Sequence, residues 1–117
     1  MTAREATSFV HTLHEGAVVV EAHGELDVTS APPFRTALQK AVDTGRPLVV
    51  VDLTHVSFLD SAGLAVVFRA QRLLPVSQRI MLANVPDRMS RMLRLAGVGA
   101  VVDVHTPGEP QPWLDAS

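Results

Sequence analysis

The sequence predicts a single α/β domain, with a mixed β-sheet covered by helices on at least one face. Three observations lead there. β-Branched or apolar runs alternate with stretches of helical periodicity. Gly and Pro punctuate the junctions between them. The chain of 117 residues is long enough for one ordinary hydrophobic core and too short for two.

Residues 8–14 and 17–23 read as two short strands around a Glu15-Gly16 hairpin turn, the second ending at Gly24. After Glu25-Leu26-Asp27-Val28 come Thr29 and Ser30, either of which suits a helix N-cap. Pro32 and Pro33 are tolerable only in that helix's first turn. Phe34, Ala37, Leu38, Ala41 and Val42 then recur at helical spacing, Gly45 closes the helix and Pro47 prevents its resumption. Leu48-Val49-Val50-Val51 is a continuous apolar run, the pattern of a strand buried on both faces, with Asp52 as a cap at its end. A loop over 54–60 leads to a helix from Ser61 to Leu74, stopped by Pro75. Arg79–Ala83 is a further strand, and Asp87 a cap for a helix whose Met89, Met92, Leu93 and Ala96 share a face before Gly97. Val101–His105 reads as a short edge strand. The resulting order is β-β-α-β-α-β-α-β, with Leu38, Val50, Leu64, Phe68, Leu82 and Leu93 expected in one core. The expected organisation is a flexible segment over 1–7, a domain over 8–105 and a Pro-rich, irregular tail over 106–117, in which Trp113 is a candidate to dock back.

Composition narrows the function classes. Apolar residues make up 47% of the chain but aromatics only 4%, so the core is aliphatic. A net charge of −2 supplies no field for nucleic acid or anionic lipid. With no cysteine there are no disulfides, thiolate metal sites or thiol nucleophiles. The first residues lack the apolar stretch of a signal peptide, and no window approaches the roughly 18 apolar residues of a membrane span. A cytoplasmic protein that contacts neither membrane nor nucleic acid is therefore the expectation. The skew to nine Arg against the single Lys40 is a possible mark of a GC-rich genome, not of function.

Several chemistries fail on residue type or spacing. His11 and His14 stand three apart on a strand and point to opposite faces. His23, His55 and His105 have no obvious companions, so all five histidines read as solvated or locally bonded and no metal is expected. A serine nucleophile elbow needs Gly two residues before the serine, where Leu59-Asp60-Ser61-Ala62-Gly63 has Leu59. A phospho-aspartate receiver, suggested by Val51-Asp52-Leu53, needs an early acidic pair and a late lysine. This chain has neither. No glycine loop of phosphate-cradling spacing exists, so no cofactor is implied. Arg88, Arg91 and Arg94 form a basic stripe on the last helix. It reads first as a solvated face opposite the methionines and second as a site for an acidic partner.

Ser61 remains. A serine at a helix start ordinarily satisfies an orphan N–H and needs no other role. Here the preceding Val56-Ser57-Phe58-Leu59 is unusually apolar for a solvent loop. Gly63 lies in the first helical turn, which suggests a close backbone approach. Asp27 reaches the same sheet end if its strand runs parallel to the next. Free N–H groups and the helix dipole make such a position a sensible place for a phosphate.

The segment Val51-Asp52-Leu53-Thr54-His55-Val56-Ser57-Phe58-Leu59-Asp60-Ser61-Ala62-Gly63-Leu64 closely resembles the signature of bacterial anti-sigma factor antagonists of the STAS type. Gly24-Glu25-Leu26-Asp27 resembles their first loop, and the likeness runs from about Ser8 to His105. It implies the STAS fold, a mixed sheet with helices mainly on one face. It also implies a phosphorylated serine at Ser61, supported by Asp27, Asp60 and Gly63. The implied partner face comprises Leu26, Asp27, Val28, Thr29, Leu59, Asp60, Ser61, Ala62, Gly63 and Leu64. By the same resemblance the partner is an anti-sigma factor with serine-kinase activity. Unmodified antagonist binds it and frees the sigma factor, phosphorylation releases it, and a phosphatase resets the switch. The chain would be a substrate and a ligand, not an enzyme. The tail departs from the family, because Thr106-Pro107-Gly108-Glu109-Pro110-Gln111-Pro112 does not make the regular C-terminal helix seen in many members. The competing reading is a constitutive STAS adaptor, such as the small subunit of a lipid-transport ATPase complex, which is never phosphorylated.

Overall fold

The computed structural model describes residues 6–115. Of the expected flexible segment 1–7, all but Ala6 and Thr7 lies outside the described residues. The elements are β1 (Ser8–Leu13), β2 (Ala17–Leu26), α1 (Ala31–Val42), β3 (Leu48–Leu59), α2 (Ser61–Leu73), β4 (Arg79–Ala83), α3 (Asp87–Leu95), β5 (Asp103–Val104) and a short α4 (Pro112–Asp115), with a 3₁₀ turn at Val98–Ala100. They build one five-stranded sheet in the order β1-β2-β3-β4-β5. β1 runs antiparallel to β2, and every later neighbour is parallel. Because strand order follows chain order, right-handed crossovers place α1, α2 and α3 on the same face. Phe34 and Leu38, Leu64 and Val67, and Met89 and Leu93 accordingly share one core with Val18, Val20, Val49, Val51 and Leu82.

Alternation along β3 sends Leu48 and Val50 to the other face, where they pack with Ala17, Val19, Ala83 and Trp113. The expectation of one core is corrected here. Leu38, Leu64, Leu82 and Leu93 belong to the helix-side cluster and Phe68 packs at its margin, but Val50 lies in a second cluster. The tail covers that cluster. Trp113 is buried and meets buried His105 edge to face at 4.9 Å. His105 is held in turn: its Nδ1 accepts from the Asn84 N–H (3.2 Å), and its Nε2 faces the Pro110 carbonyl (3.1 Å). An N–H can only donate and a carbonyl only accept, so the ring carries its proton on Nε2. His105 therefore has the companions its sequence context did not reveal. In the turn before α4, the Thr106 hydroxyl, then its N–H, hold the Glu109 carboxyl below the usual carboxylate range.

The expected loop over 54–60 is instead strand almost to its end. β3 continues to Leu59 and pairs with β2 as far as Leu26↔Leu59, through two register shifts. The apolar character of Val56 and Leu59 is explained by their burial in the helix-side core. Asp52 is consequently mid-strand rather than a terminal cap, its Oδ1 accepting from the Thr54 N–H (3.0 Å) and hydroxyl (2.6 Å). β2 likewise passes Gly24, which sits at one register shift with φ +98°. α3 begins at Asp87, so that residue lies in the first turn with Pro86 before it, favourable to the helix dipole but not a cap.

Candidate functional site

β2 and β3 end side by side at Leu26 and Leu59, so the residues that follow them, Asp27 and Asp60, emerge at one end of the sheet. The Asp60 N–H donates to the Leu26 carbonyl (3.2 Å), extending the ladder by one bond past the strands. Both acids organise turns. Asp27 Oδ1 accepts from the N–H groups of Thr29 (3.0 Å) and Ser30 (3.2 Å). Ser30 occupies the N-cap position of α1 as expected, but its buried hydroxyl donates to the Glu25 carbonyl (2.6 Å) and makes no cap bond. α1 tolerates this because Pro32 and Pro33 remove two of the N–H groups a cap would serve.

At α2 the N-cap is Asp60. Its Oδ1 accepts from the N–H groups of Ala62 (2.9 Å) and Gly63 (3.3 Å). Ser61 is therefore the first helical residue, exposed to solvent, with a hydroxyl the cap does not use. This revises the electrostatics expected from sequence. The N–H groups of Ala62 and Gly63, which would welcome a phosphate, already hold a carboxylate, so a phosphate on Ser61 would stand beside a negative group at a helix end with two of its donors taken.

Gly63 is buried against the end of β2. A Cβ there would lie 2.6 Å from the Leu26 carbonyl oxygen and 2.8 Å from Leu59 Cδ1. The close approach legible in the sequence is thus made by this chain's own backbone. Although alanine is favoured over glycine by about 1 kcal/mol within a helix, Gly63→Ala is expected to destabilise the fold, because the contact is with a strand backbone that cannot move aside. A chemical denaturation midpoint equal to or above that of the wild type would contradict this packing.

Of the residues assigned to the partner face, Val28 (73% exposed), Thr29 and Ser61 are on the surface, and Asp27, Asp60 and Ala62 are half-buried. Leu26, Leu59, Gly63 and Leu64 are buried and support the two turns from beneath. Sequence reading missed two features. Phe58 is 42% exposed at the end of β3 and borders a shallow depression with Arg88 and Met92. Arg88 also donates to the Val56 carbonyl (2.5 Å), so one arginine of the exposed basic stripe is tied to the sheet. The other omission is on the opposite face, where His23 and His55 stack with ring centroids 4.6 Å apart beside Glu21.

The STAS_2 family model, described as "Mlab, STAS domain", matches residues 10–103. The chain belongs to the STAS-domain family. This STAS domain is 30% identical over 82 residues to the anti-sigma-B factor antagonist of Listeria monocytogenes, a match covering 69% of this chain and 72% of the relative. Among solved structures, an anti-sigma factor antagonist from Mycobacterium paratuberculosis superposes with a TM-score of 0.83 at 24% identity, over 99% of this chain and 97% of that one. The Bacillus cell fate determinant SpoIIAA in its phosphorylated form gives 0.61 at 25% identity, over 87% and 93%. Among the described residues of this STAS domain, no helix is long and apolar enough to cross a membrane.

Proposed function

We propose that this STAS domain is an anti-sigma factor antagonist that works as a phosphorylation-controlled partner switch. In its unmodified form it binds an anti-sigma factor with serine-kinase activity and releases the sigma factor. Phosphorylation of Ser61 by that kinase abolishes binding, and a phosphatase restores it. The domain is then a ligand and a phosphoacceptor in transcription control. Relatives named anti-sigma-B factor antagonist support the antagonist role. The phosphorylated state of a structural neighbour supports the covalent switch.

The observation that carries the reading is the placement of Ser61. Its hydroxyl is exposed at the first position of α2, unused by the cap and adjacent to the carboxylate that makes the cap. Val28 and Thr29 stand exposed on the neighbouring turn, so a partner docking on this end of the sheet meets Ser61 near the middle of its footprint. Leu26, Leu59, Gly63 and Leu64 serve the same face indirectly, by fixing the two turns relative to each other.

Co-purification of the endogenous partner, then incubation with ATP and phosphopeptide mapping, tests the assignment. The expected product carries one phosphate, on Ser61. Ser57 is the rival, since it too is exposed, but it lies within β3 with its hydroxyl directed at the Gly24 carbonyl (3.4 Å). Phosphate found on Ser57, or on no serine, would refute the proposal.

A further inference from the structure

We infer that Glu21, His23 and His55 form a binding site for a divalent transition metal of the zinc class, on the sheet face opposite α1, α2 and α3. The three donor atoms lie within 4.8 Å of one another. His23 Nε2 is 2.6 Å from Glu21 Oε1, and His55 Nε2 approaches the same oxygen at 3.8 Å. The two rings are nearly parallel, at 9°, and both present Nε2 to the carboxylate. Two imidazoles and one carboxylate make a ligand set that suits zinc, with a fourth position left for water. Donors around a four-coordinate zinc stand about 3.3 Å apart, given bonds of roughly 2.0–2.1 Å. The present spacing straddles that value. Closing it requires that the Nε2 proton His23 donates to Glu21 leave and that the His55 ring, 54% exposed, turn out of its stack on His23 and swing inward, so that both Nε2 lone pairs converge on one point.

The fold builds this cluster through an irregularity. Glu21 and His23 are two apart on β2 and so share a face. Opposite them, Glu21 pairs with Asp52 but His23 pairs with His55, so β3 carries one residue more than β2 over this interval. Regular pairing would have set Thr54 across from His23 and turned His55 toward the helix-side core. The extra residue brings His55 to the open face and returns Val56 to the core, fully buried. A metal here would clamp β2 to β3 across their bulge, on the strands that lead to Leu26 and Leu59. It would not touch Ser61, and Trp113 covers a different part of the face.

The test uses the full-length chain without a histidine tag, titrated calorimetrically with zinc chloride and followed in parallel by the visible spectrum with cobalt(II). Wild type is expected to bind one equivalent, with the intense d–d bands of a four-coordinate site, and to melt at a higher temperature with zinc than without it. His23→Ala and His55→Ala, which each remove a direct ligand, and Glu21→Gln, which turns the carboxylate into a weaker neutral donor, should each weaken binding by at least about tenfold. His14→Ala, which lies outside the cluster, should bind as wild type does. His55 is mostly exposed, so its variant should fold, as circular dichroism will show. Absence of one-to-one binding by wild type, unchanged affinity in His55→Ala, or an equal loss in His14→Ala would each overturn the site.

Discussion

Protein phosphorylated on Ser61 is expected to bind its anti-sigma partner more than about a hundredfold more weakly than the unmodified protein. Ser61→Glu should show a smaller loss of the same sign, and Ser61→Ala almost none. The phosphate adds about −1.5 to −2 charges, and two of the donors that would receive it at the helix end are taken. The N–H groups of Ala62 and Gly63 are already bonded to Asp60. Docking must therefore desolvate a dianion beside a carboxylate, and a penalty of only about 3 kcal/mol suffices for the hundredfold effect. Glutamate carries less charge and fewer acceptor oxygens. Alanine leaves the face neutral, and because Asp60 rather than Ser61 caps α2, no cap is lost and the melting temperature should be unchanged. Calorimetric titration of one purified partner with all four forms decides the matter. Equal affinities throughout would leave the constitutive adaptor as the better account.

The parts of this molecule legible in its sequence are those governed by short-range regularity. α1 announced itself through Phe34, Ala37, Leu38 and Ala41, all buried, and β3 through the run from Leu48 to Val51, buried on both faces. The features that stayed hidden depend on register or on distant residues. The bulge opposite Ala22 breaks the alternation of β3, so Thr54 and His55 are exposed in succession and the strand's second half imitates a loop. That same break hid the His23–His55 pair, since a residue read as part of a loop is given no strand partner. Asp60 and Ser61 are both competent caps, and only coordinates distinguish them. Gly63 signalled a close approach without naming Leu26 as its source. The split between two hydrophobic clusters turned on Trp113, more than sixty residues beyond Val50 in the chain.

Val50→Asp should abolish cooperative unfolding. Val50 is fully buried in the middle of the sheet, paired with Val19 of β2 on one side and Met81 of β4 on the other, under the cover of Trp113. Its neighbours in that cluster, Ala17, Val19, Leu48, Ala83 and Trp113, are all apolar. A carboxylate placed there, ionised or forced neutral, costs several kcal/mol, comparable to the whole stability of about 5–15 kcal/mol expected of such a domain. Val28→Asp makes the same chemical change at 73% exposure and should shift stability by no more than about 0.5 kcal/mol. The pair therefore separates burial from charge. Trp113, the only tryptophan, sits on the Val50 cluster and reports on it by fluorescence, while far-ultraviolet circular dichroism reports on the sheet and helices. Both signals should lose their sigmoidal melt in Val50→Asp. If the fluorescence alone shifts red while the dichroism still melts cooperatively near the wild-type temperature, the tail has simply lifted away, and Val50 is not the central support assigned to it.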